Sequence, residues 1–115
     1  MDQSGLRFDL SPGPGAPSTA RSRLNEVAEV DPAVLDRVKT VVSALITRSI
    51  RDEGGAPIGV SVDNQSGTVR GRVTIPGGWG ALAAAVREGR RGLTVLDGMA
   101  GSWGIEGAAV WFVVP

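Results

Sequence analysis

The chain has no cysteine, no histidine and no tyrosine. Without cysteine it can form no disulfide, offer no thiolate nucleophile and build no sulfur-ligated metal site. Without histidine it lacks the side chain that titrates near neutral pH and the commonest metal ligand. Lysine is nearly missing too: Lys39 stands alone among 12 basic residues. Those are balanced by 12 acidic residues, for a formal charge of +0 with no long run of either sign. A neutral, unclustered surface argues against nucleic acid as the main partner. No apolar run approaches the ~20 residues of a membrane span. The opening "MDQSGLRFDLSPGPG" also lacks the apolar core of a signal peptide. The expectation is a cytoplasmic protein with neither a membrane nor a nucleic-acid partner.

What is present suits a single domain. The chain has 115 residues, of which 42% are hydrophobic, enough for one core and too few for two. One domain is expected over residues 1–115, with 1–5 flexible. "LRFDL" at 6–10 alternates apolar and polar residues, as a half-buried strand does. Pro17 then suits the first turn of a helix over about 17–28, with Ala20, Leu24, Val27 and Ala28 inward. Asp31-Pro32 reads as N-cap and first residue of a second helix. Val34, Leu35, Val38, Val41, Val42, Leu45, Ile46 and Ile50 recur at three- and four-residue steps along it, and Gly54-Gly55 ends it. A hairpin follows, with Ile58, Val60 and Val62 alternating before the turn "DNQSG" and Val69, Gly71, Val73 and Ile75 after it. Pro76-Gly77-Gly78 stops the strand. "WGALAAAVREG" predicts a short helix, and the chain closes with a helix over 92–101 and strands near 102–106 and 109–114. The order β-α-α-β-β-α-α-β-β predicts an α+β, two-layer sandwich: a mixed, mostly antiparallel sheet with helices on one face.

These segments resemble a known family. "VVSALITRSIRD" at 41–52, the hairpin, "RRGLTVLDGMAGSWGI" at 90–105 and the closing "AVWFVVP" are similar to the histidine-kinase-like (GHKL, or Bergerat) ATPase fold. The branch they resemble most is the small anti-sigma-factor regulatory Ser/Thr kinases. In that family the long helix carries a glutamate that activates the attacking nucleophile and, four residues on, an asparagine that holds the magnesium ion. "SALITRS" places Ala44 and Arg48 there. Alanine offers no acid or base, and arginine, a permanent cation, cannot ligate Mg²⁺. The adenine-recognising aspartate falls where this chain has Ile75 or Pro76. A glycine usual at the phosphate-binding helix start is replaced by Arg90, while Gly92 and Leu93 keep the residual nucleotide-motif positions.

The resemblance therefore implies a degenerate GHKL domain: not an enzyme, with no catalytic residue, no metal and no cofactor. It implies a pseudo-ATPase that regulates by protein contact, with a sigma factor or a STAS-type antagonist as partner and a homodimer as the assembly. The opposing reading is an ATP- and magnesium-binding kinase with displaced motifs, using Asp52 or Glu53 as acid/base and Asn64 as metal ligand. A structural or small-ligand-binding dimer domain is the third. Arg90 and Arg91 read as a solvated pair or an anion site. Arg48 reads as a partner of Asp52 or as a cation filling the vacated magnesium region. Trp103 and Trp111 read as core aromatics. Trp79 either packs as an ordinary core residue, lies at an interface, or plugs the adenine region. In the last case the ordered stretch Gly77–Gly89 takes over the nucleotide's space, with Trp79, Leu82 and Val86 packing towards Ala44.

Overall fold

The structure, a computed structural model, describes residues 4–27, 29–53, 56–88 and 94–115. Its elements follow in the predicted order: β1 (Ser4–Leu10), α1 (Ala16–Leu24), α2 (Pro32–Glu53), β2 (Ile58–Gln65), β3 (Thr68–Thr74), α3 (Gly80–Arg87), α4 (Thr94–Met99), β4 (Ser102–Glu106) and β5 (Ala109–Val114).

Local chemistry sets most boundaries. The Asp31 carboxylate accepts the Ala33 N–H at 2.8 Å, so Asp31 caps α2 and Pro32 opens it. β1 begins at Ser4, ahead of the visible alternation, because Ser4 and Gly5 continue the ladder opposite Asn64 and Asp63. α1 stops at Leu24 rather than near residue 28. The Asn25 N–H turns back to the Ser22 carbonyl, and Glu29 adopts φ 62°, which no right-handed helix accommodates. Ala20, Leu24 and Val27 are buried as expected. Ala28 and Gly54-Gly55 lie outside the described residues. The β2–β3 turn is Ser66-Gly67, at φ 55° and 90°, the left-handed pair that matches the twist of a tight hairpin.

The strands lie in the order β1-β2-β3-β5-β4. All described pairings are antiparallel, where the sequence predicts a mixed, mostly antiparallel sheet. β5 returns from the edge strand to lie between β4 and β3, so it opposes both. Register aligns Phe8, Val60, Val73, Val110 and Ile105 in one row, and Leu6, Val62, Gly71, Phe112 and Trp103 in the next. These rows form the helix-facing side. Over them α2 lays Val38, Val41, Val42, Leu45 and Ile46, all at most 1% exposed. Each such side chain contributes about 1.5–3 kcal/mol of burial, which makes α2 against the sheet the main source of stability.

Alternation turns the remaining residues to the opposite face. There Arg7, Ser61, Arg72, Trp111 and Gly104 form one cross-strand row, and Asp9, Gly59, Thr74, Ala109 and Glu106 another. Trp111 is thus not a core aromatic. With Val110, Phe112 and Val114 buried, the period of two sends it outward, where its half-buried indole covers Gly104. Trp103 packs against the rim of the core, and its indole N–H donates to Asp97 at 3.0 Å, tying β4 to α4.

Candidate functional site

Helical geometry places Ala44 and Arg48 one turn apart on α2. With Thr40, Ser43, Thr47 and Arg51 they line a shallow hollow. Its hydroxyls are committed to the helix itself: Thr40 donates to the Asp36 carbonyl at 2.9 Å, Ser43 to Thr40 at 3.2 Å and Thr47 to Ser43 at 2.8 Å. Arg21 of α1 donates to the Ser43 hydroxyl at 3.3 Å. Among the described side chains that line the hollow are two guanidinium groups and no carboxylate. Nothing in it accepts a proton from a nucleophile or ligates a hard cation through a charged oxygen. Among the described residues no group of three or more acidic, thiol or imidazole side chains gathers to hold a metal. These residues do not fit a magnesium ion.

The strand end after β3 is filled with hydrocarbon. Ile75 is fully buried, its N–H donating to the Ala108 carbonyl and its carbonyl accepting from Gly78, both at 3.0 Å. The chain reverses through Pro76-Gly77-Gly78, with Gly78 at φ 78°. Trp79 then enters the core at 3% exposure, and its indole N–H donates to the Val73 carbonyl at 3.2 Å. Leu82 and Ala85 follow it inward at three-residue steps. Val86, one residue past that face, is 44% exposed and does not join them, contrary to the sequence expectation. Trp79 and Leu82 belong to the main core and do not line the hollow around Ala44.

The other predicted positions divide in two. Gly89, Arg90, Arg91, Gly92 and Leu93 lie outside the described residues, as do the side chains of Asp52 and Glu53. Asn64, the metal ligand of the kinase reading, is a structural clamp. It is 6% exposed; its amide N–H donates to the Glu29 carbonyl, and its carbonyl oxygen accepts the Gly67 N–H, both at 3.0 Å. It braces the β2–β3 turn against the loop between α1 and α2. The alternation of Arg7, Asp9, Asp63, Arg70 and Arg72 with apolar residues gives the sheet its charged outer face, as a period of two that sends one face to water requires.

No family model matches the chain, and no curated protein matches it in sequence. Among solved structures it is similar to the crystal structure of the RsbU and RsbW domains of Rv1364c from Mycobacterium tuberculosis. That likeness has a TM-score of 0.64 at 16% identity, over 96% of this chain. The chain spans only 30% of the length of that protein chain. The shared feature is the fold, an α+β sandwich with an open antiparallel sheet.

Proposed function

We propose that this chain is a non-catalytic regulatory domain, a pseudo-ATPase of RsbW-like fold that works by protein contact in a partner-switching, anti-sigma/anti-anti-sigma type pathway. One observation carries the reading. Where the resembled family holds adenine and magnesium, this chain has a buried Ile75, a buried Trp79 whose indole is already hydrogen-bonded, and an Ala44–Arg48 pair without a carboxylate. Removing the polar groups on which a nucleotide site depends costs several kcal/mol of binding. A scaffold that has given up its nucleotide contacts still offers surfaces to a partner. A sigma factor or a STAS-type antagonist is the partner this reading names, and a homodimer is its assembly.

Titration calorimetry of the purified chain with ATP and Mg²⁺ tests it. The expected result is no heat of binding. A dissociation constant below roughly 100 μM, about −5.5 kcal/mol, overturns the non-catalytic reading.

A further inference from the structure

The sheet ends at β4. In a hairpin closed by Gly107 and Ala108, the pair Glu106–Ala109 exchanges hydrogen bonds, and alternation gives the same role to Gly104–Trp111 and Ser102–Val113. Trp103 and Ile105 therefore turn their backbone N–H and C=O groups away from β5, to an edge that no other strand pairs among the described residues. Edge strands invite further pairing, and proteins commonly blunt them with charge. β1, at the opposite edge, is blunted in this way by the exposed Arg7 and Asp9. β4 is not. Ser102 to Ile105 carry no charge, Gly104 presents no side chain, and Glu106 is held by Arg72 at 2.8 Å. Beside this edge, Ala83, Val86 and Arg87 of α3 and Trp103, Gly104 and Ile105 of β4 line a hollow of about 310 Å³. Val86 is 44% exposed, and Arg87 has no hydrogen bond or ion pair among the described residues.

We propose that the β4 edge accepts an extended segment of a partner protein as a sixth strand, with an apolar side chain in the hollow between α3 and β4 and a carboxylate on Arg87. The backbone groups of Trp103 and Ile105 supply sequence-independent pairing. The hollow selects an apolar residue, and a residue two positions away shares its face and meets the Arg87 guanidinium. Complementarity to that cation makes the segment acidic rather than basic. The proposal rests on reading the chain as a protein-binding domain and adds where, and by what chemistry, it binds.

The test uses the full chain, ¹⁵N-labelled, and a blocked eight-residue peptide in which threonine alternates with valine and glutamate, so that valine and glutamate share a face. A second peptide replaces glutamate by lysine. Expected are shifts and slowed hydrogen exchange of the Trp103 and Ile105 amides, with binding at least about tenfold weaker for the lysine peptide and for Arg87→Glu. Ile105→Pro, which removes an edge N–H, abolishes binding. Should that variant fail to fold, Arg87→Glu on the exposed α3 surface decides. Unchanged amides at millimolar peptide, or equal binding of both peptides, overturn the proposal. Edge amides protected without peptide and released on dilution also overturn it, since a second copy then fills the edge. Nucleotide binding in calorimetry bears on the regulatory reading alone, and these amides on the edge alone.

Discussion

The ring of Phe112 lies directly over Gly71, its neighbour across the β3–β5 ladder: a Cβ at Gly71 would stand 2.2 Å from the ring's Cζ. On the other face of the sheet Trp111 covers Gly104 in the same manner, with 2.8 Å from that position to Cζ2. Successive aromatics of β5 thus cover glycines on opposite neighbouring strands, one inside the core and one outside it. Each ring shields a backbone that glycine alone leaves open.

Gly71→Ala is expected to destabilise the fold by about 1–3 kcal/mol, because the added methyl must displace a ring already packed in the core. Gly77→Ala serves as control. Its φ is not positive and a Cβ there meets nothing within 4 Å. Urea unfolding of the two variants should separate them clearly. Equal midpoints would mean that Phe112 moves aside freely.

Asn64→Ala should cost about 1–3 kcal/mol, the range for leaving buried polar partners unsatisfied. Asn64→Asp retains the acceptor for Gly67 but cannot donate to the Glu29 carbonyl, so it should fall between the two. Thermal unfolding measures both. A wild-type midpoint for Asn64→Ala would remove the clamp from the description.

Much of this was legible in the sequence. The period of two in "IGVSV" and "VRGRVTI", the three- and four-residue steps of α2 and the Asp-Pro cap each carry their own physical signal, and β2, β3 and the start of α2 follow it. α1 is shorter than its sequence pattern suggests: the apolar spacing runs on through Val27, while the chain turns at Asn25 and takes a positive φ at Glu29, whose carbonyl accepts from Asn64. Trp111 was misjudged because aromatic character was weighed above strand parity. That Trp79 spends its indole N–H on Val73 was not legible, since a side chain's partner across a turn leaves no mark in residue type.

On the pseudo-ATPase proposal, placing the resembled family's polar pair on α2 should not create nucleotide binding. Ala44→Glu combined with Arg48→Asn supplies the carboxylate and the amide, yet Ile75 and Trp79 still fill the strand end after β3. Calorimetry of the double variant with ATP and Mg²⁺ is expected to remain flat. Micromolar binding would show that the two α2 positions alone had silenced the site.

A homodimer through the outer sheet face is expected to depend on charge. That face alternates Arg7, Arg70 and Arg72 with Asp9, Asp63 and Glu106, and places the half-buried Trp111 among them. A two-fold contact through this face would bring charges of both signs together. Arg72→Glu reverses a charge on that face and should raise the dimer dissociation constant by roughly tenfold or more, equivalent to about 1.4 kcal/mol. Light scattering across a dilution series reads this. A monomer at every concentration would exclude the assembly.

Trp79 offers the most direct test of how the space next to Ile75 is used. It is 3% exposed, belongs to the main core and follows a glycine pair that lets the chain fold back sharply. Trp79→Ala removes the largest side chain α3 brings to that core and is expected to cost about 3–5 kcal/mol, the range for truncating a buried aromatic. Trp79→Phe keeps most of the ring volume and loses the bond to Val73, so its cost should be about 1–2 kcal/mol. A residue that merely rested on the surface would give neither value nor the gap between them. Trp79→Ala opens a cavity in the core to which Leu82 and Ile75, both at most 1% exposed, also belong, and leaves the Val73 carbonyl without its indole partner. Small apolar molecules fit the hydrocarbon part of that cavity, whereas a single carbonyl acceptor supplies no contact for a nucleotide's phosphates. Adding benzene should therefore raise the unfolding temperature of Trp79→Ala, and adding ATP should not. Stabilisation by ATP alone would show that the tryptophan stands in a working nucleotide pocket.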